Sequence, residues 1–101
     1  MMSMKEITIE DIDPFIRALH CPTRWKIIES LQKESQSSEQ IYNFLDENGI
    51  KLQKAAFYYH LRELEAAGFI ELDEFKPSEK KRAPEKVWKL KIKKLLIKFS
   101  E

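Results

Sequence analysis

Cysteine occurs once in the 101 residues, at Cys21, so the chain cannot form an internal disulfide. Secreted domains of this size usually carry several bridges, and a reducing, cytoplasmic setting is therefore expected. Glycine occurs only twice, which leaves no material for a glycine-rich phosphate loop. No apolar run comes near the ~20 residues of a membrane span, and the N-terminus lacks the pattern of a cleavable signal. Nucleophile elbows, metal motifs and obvious acid–base pairs are all missing, and a short chain has little room for a substrate cleft. Neither an enzyme nor a cofactor is expected. Internal repeats and low-complexity stretches are absent too, and the length suits a single domain over residues 1–101.

Charge is plentiful but unevenly placed. The net value is +1, yet residues 1–75 hold 8 Lys/Arg against 14 Asp/Glu, while residues 76–101 hold 10 against 3. A basic last quarter beside an acidic remainder suits a face that meets a polyanion, and suits equally a solvated lysine-rich tail.

Apolar spacing organises the chain. Ile12, Phe15, Ile16 and Leu19 recur at helical intervals, with Asp13-Pro14 as a start signal. Pro22 opens a second helix whose expected inner face is Trp25, Ile28 and Leu31, with Ile27 beside it. Ser37 and Gln40 have capping-box spacing before a third helix, which buries Ile41, Phe44 and Leu45 and stops at Gly49. The fourth helix is expected over residues 53–67, with Phe57, Leu61 and Leu64 inward and Gly68 as its stop.

Beyond Gly68 the period falls to two. Ile70 and Leu72 alternate with Glu71 and Asp73; Trp88, Leu90 and Ile92 alternate with Lys89, Lys91 and Lys93. Between these strands lies Lys76 to Pro84, which reads as the long basic tip of a hairpin spanning about 69–92. Ile92, Leu95, Leu96 and Phe99 are again helically spaced, and a short C-terminal helix is expected over 92–100. The order predicts a mainly α chain with a small antiparallel hairpin, an α+β winged helix-turn-helix with an added N-terminal helix and that short C-terminal helix.

Two segments resemble a known family. Ala18-Leu19-His20-Cys21-Pro22-Thr23-Arg24-Trp25-Lys26-Ile27-Ile28 is similar to the A-L-x-x-P-T-R-x-x-I-L opening of the ArsR-like winged-helix repressors. Tyr58-Tyr59-His60-Leu61-Arg62-Glu63-Leu64-Glu65-Ala66-Ala67-Gly68-Phe69-Ile70-Glu71 is similar to their S-x-H-L-x-x-L-x-x-A-G-L-I recognition-helix segment. With the hairpin, the resemblance covers roughly residues 10–92. It implies a homodimer that sets the fourth helix into the major groove of double-stranded DNA.

The residues agree with that implication. With Phe57, Leu61 and Leu64 turned inward, the opposite face offers Gln53, Lys54, Ala55, Tyr58, Tyr59 and Arg62. Amides at the helix start and Lys54 suit phosphates, Arg62 suits a guanine and Gln53 an adenine. Two other readings stay open: the tyrosines pack beside the hairpin, or Arg62 pairs with Glu63 or Glu65. In the hairpin, Lys76, Lys80, Lys81 and Arg82, flanked by Lys86, suit the adjacent minor groove, Arg82 above all; a solvated loop is the alternative. Dimerisation is expected through Ile12, Phe15, Ile16, Leu19, Leu95, Leu96 and Phe99.

The chain departs from the metal-sensing members of that family. Ser38 to Phe44 holds no cysteine, and the terminal segment holds no histidine. His20 and Cys21 supply at most two ligands per chain, short of the about four that a closed zinc site takes. A metal site is therefore not expected. Cys21 at a helix start is read as an inert buried thiol or as a redox switch. His60 is expected to be a structural hydrogen-bonder, and Arg24 to tie helices together or touch a phosphate at the groove edge. The function expected is a sequence-specific DNA-binding transcription regulator, with a winged-helix protein or RNA interaction module as the alternative.

Overall fold

A computed structural model describes residues 3–77 and 83–100. Its elements in chain order are β1 (Met4–Thr8), a single 3-10 turn (Ile9–Asp11), α1 (Asp13–Leu19), α2 (Pro22–Ser30), β2 (Gln36–Ser37), α3 (Ser38–Glu47), α4 (Lys54–Ala66), β3 (Ile70–Lys76), β4 (Glu85–Leu90) and β5 (Lys94–Lys98). Four helices enclose one core with a small antiparallel sheet, the winged helix-turn-helix arrangement of an α+β chain.

Local signals explain the element ends. The capping box at α3 is complete: Gln40 N donates to Ser37 Oγ at 3.1 Å, and Ser37 N donates to Gln40 Oε1 at 2.8 Å. Both α3 and α4 end in the same motif. Gly49 and Gly68 take φ of +82° and +86°, the left-handed region that glycine enters without steric cost. Ile50 N then reaches Leu45 O at 2.8 Å, and Phe69 N reaches Leu64 O at 3.0 Å. Each bond satisfies a carbonyl of the final turn and brings an apolar pair together.

The core is made of Ile27, Leu31, Ile41, Leu45, Phe57, Leu61, Leu64, Phe69, Ile70 and Trp88, with Ala18 contributed by α1. The expected inner faces of α3 and α4 are found, Phe44 being only half-buried. That of α2 is rotated: Arg24, Ile27 and Leu31 point inward, whereas Trp25 is 54% exposed. Apolar residues surround the α2 axis closely enough that spacing alone did not fix its face. The buried guanidinium, rather than the indole, orients it.

The sheet holds three strands in the order β2-β4-β3, all antiparallel. Glu71 stands opposite Lys89 and Leu72 opposite Trp88, and the register then slips at Asp73, so that Glu74 faces Val87. A bulge of this kind bends the strand and increases its twist. The short β2, which no local pattern marks, pairs Gln36 with Trp88 and Ser37 with Val87.

The C-terminal segment corrects the sequence reading. Residues 94–98 form a strand, not a helix, and pair in parallel with β1, from Met4 opposite Lys94 to Thr8 opposite Lys98. A short apolar run fits either period, and the partner strand decides it. Ile7 lies buried beneath this ribbon, and Leu95 packs against the main core.

Candidate nucleic-acid interface

Helix α4 is held from three sides. Phe57, Leu61 and Leu64 anchor it in the core. Tyr42 of α3 lies edge-on to Phe57, centroids 5.2 Å apart, and its hydroxyl donates to the carbonyl of Leu52 in the turn before α4. This tyrosine positions the helix start, a role the spacing pattern did not single out.

The third hold is polar. Arg24 is 8% exposed and donates from Nε to His60 Nδ1 at 3.1 Å. Its Nη1 donates to the carbonyls of Arg17 and Ala18 at 3.2 and 3.1 Å, capping the end of α1. The same guanidinium lies 5.7 Å from the ring centre of Tyr59, within cation–π range. Because His60 Nδ1 accepts, its ring is neutral. Burial, with the Arg24 charge as a second cause, holds its pKa below the ordinary 6.5.

The outward face of α4 carries Lys54, Ala55, Tyr58, Tyr59 and Arg62, all exposed, with Gln53 as the exposed N-cap. Gln53 makes no side-chain cap bond, so the first-turn amides keep their donors for an outside acceptor. Lys54 Nζ sits 4.3 Å from the ring centre of Tyr42, which steers it along the helix start. Among the described residues Arg62 makes no ion pair with Glu63 or Glu65; the ion pairs present are Lys26–Glu29, Lys51–Asp46 and Lys89–Asp73.

An open cleft joins this face to the hairpin. Tyr58, Leu61, Arg62 and Glu65 of α4 line one wall; Ala83, Pro84, Glu85, Lys86 and Trp88 line the other, with Ser38 between. The cleft has a built floor. Trp88 Nε1 donates to Ser38 Oγ at 3.0 Å, and Glu39 N donates to Glu85 Oε1 at 2.7 Å, tying β4 to the start of α3. Sequence reading passed over Ser38, whose burial shows only once β4 covers it. Lys76 and Lys86 are exposed at the described limits of the hairpin, whereas Lys80, Lys81 and Arg82 lie outside the described residues.

The remaining expected residues divide. Phe15, Leu19 and Leu95 pack against the core within the chain, Phe15 edge-on to Phe69 at 5.8 Å, and Ile12 is half-buried. Ile16, Leu96 and Phe99 are exposed. Cys21 is half-buried and its side chain makes no cap bond to α2; His20 is exposed. Among the described residues no three His, Cys, Asp or Glu side chains gather as a metal site, and no helix is long and apolar enough to cross a membrane.

No curated protein sequence matches the chain. Among solved structures, Rv0081 of M. tuberculosis superposes with a TM-score of 0.57 at 18% identity, over 75% of this chain and 65% of that one. The ferric uptake regulator of Vibrio cholerae gives 0.55 at 23% identity, over 79% of this chain and 61% of that one. The chain thus spans less than two thirds of either neighbour, and at these identities the likeness is one of fold. The family described as a helix-turn-helix domain matches residues 18–73, more than half the sequence. This chain belongs to that helix-turn-helix family.

Proposed function

We propose that the chain is a sequence-specific double-stranded DNA-binding transcription regulator, an ArsR-like repressor that lacks a metal site and acts as a homodimer. The observation that carries this reading is the cleft shared by α4 and the base of the hairpin. One wall exposes Tyr58 and Arg62, and the other carries the exposed Lys86 at the base of the hairpin. A duplex seated there takes α4 in its major groove, with first-turn amides and Lys54 on phosphates and Arg62 on a base edge. The hairpin tip then falls on the neighbouring minor groove. Two-fold pairing sets two such helices about one DNA turn apart, on a palindromic site.

A second reading also has an observation behind it. The outer strand β3 carries Glu71, Asp73 and Glu74, and Phe75 there is 57% exposed, which suits a protein partner better than a phosphate. Asp73 is paired with Lys89 at 3.5 Å and accepts a hydrogen bond from Ser35 Oγ at 2.8 Å, and β3 lies on the far side of β4 from β2. Fluorescence anisotropy with labelled duplex at several salt concentrations separates the two. Binding that falls steeply with salt is the expected result for the regulator. No binding at low salt contradicts it and favours the interaction module.

A further inference from the structure

We propose that the outer face of the β1–β5 ribbon is the surface through which two copies of this chain associate. The proposal rests on the two-copy reading above and names the surface that serves it.

Residues opposite one another in a sheet share a face. On the ribbon this puts Lys5, Ile7, Leu95 and Ile97 on one side, and Met4, Glu6, Thr8, Lys94, Leu96 and Lys98 on the other. The first side is covered: Ile7 is buried, and Leu95 and Ile97 are half-buried. The second is bare, with Met4 45% and Leu96 46% exposed. Both strands contact each other far more than any other element. A lone two-stranded ribbon is marginal in water, and parallel strands occur almost only where both faces are covered.

Charge identifies the occupant. Glu6 projects from β1, while Lys94 and Lys98 project from β5 on the same face, with Met4 and Leu96 among them. A surface that meets its own copy across a two-fold axis must be self-complementary. An axis running along the strands lays β1 of each copy over β5 of the other. Glu6 then lies over the partner's Leu96, between the partner's Lys94 and the partner's Lys98 one step along the same face, and Met4 and Leu96 meet their counterparts diagonally across the axis. A polyanion would be repelled by Glu6, and by Glu10 and Asp11 in the exposed turn that follows β1.

Sedimentation of charge-reversed chains, alone and mixed, tests this arrangement. Wild type is expected to be a dimer at micromolar concentration. Glu6→Lys alone, and Lys94→Glu with Lys98→Glu alone, are each expected to weaken it at least tenfold with unchanged circular dichroism. An equal mixture restores the dimer, because each reversed face meets its opposite. If charge reversal unfolds the chains, Leu96→Ser carries the test and must also weaken the dimer. A wild-type monomer, or a mixture no tighter than its components, overturns the proposal. Dimers lost in Ile16→Glu but kept in every ribbon variant also overturn it, while leaving the two-copy reading intact. A ribbon dimer that ignores duplex DNA supports the ribbon and contradicts the regulator.

Discussion

Arg24 joins three elements through one guanidinium, capping α1, holding His60 of α4 and lying beside Tyr59. The arrangement depends on a neutral imidazole, since protonated Nδ1 would have no lone pair to accept with and would repel Arg24. The consequence for stability has a definite sign. A histidine whose folded pKa is lowered binds fewer protons folded than unfolded over the interval below 6.5. Its contribution is complete above 6.5 and is lost as pH falls toward the lower folded value. Urea unfolding at several pH values is therefore expected to show stability rising with pH across that interval, with the rise reduced in His60→Gln. An unchanged slope in the variant would show that His60 does not govern it. The motif made Arg24 visible in the sequence. It did not reveal Trp25 as exposed, because α2 is apolar on more than one side and a buried charge sets its rotation.

At the scale of elements, the parts that sequence revealed are those with strong local codes. The α3 capping box, the glycine stops at 49 and 68, and the inward triad Phe57, Leu61 and Leu64 all lie where spacing places them. The parts it missed, β2, β1 and β5, are short and take their form from partners distant in sequence. Ile7 and Ile9 do alternate with polar neighbours, a faint strand signal at the N-terminus. Nothing local marks Lys94 to Lys98 as a strand, because helical and extended periods both fit five residues. The hairpin makes its own prediction. Replacing Lys80, Lys81 and Arg82 with alanine is expected to flatten the salt dependence of duplex binding by about one unit per lost phosphate contact. A slope equal to wild type would remove the tip from the interface.

Taken whole, the molecule joins a helix-turn-helix unit to two β structures, the antiparallel sheet of the hairpin and the terminal ribbon. The helical unit holds the core, and Trp88 with Ser38 locks the hairpin against it. That division separates the tasks proposed for them: α4 and the hairpin meet DNA, and the ribbon meets a second copy. The candidate DNA-facing residues of α4 were legible because they are simply the face left over when the core triad turns inward. Their alignment with the hairpin was not, since it depends on β4 crossing the start of α3.

Selection of bound duplexes from a random-sequence pool, with wild type and Arg62→Ala in parallel, addresses the central claim most directly. Wild type is expected to enrich a palindromic consensus, and Arg62→Ala to lose discrimination at one position in each half-site, worth about 1–3 kcal/mol. A pool that stays random with wild type, or a consensus untouched by Arg62→Ala, would contradict the account.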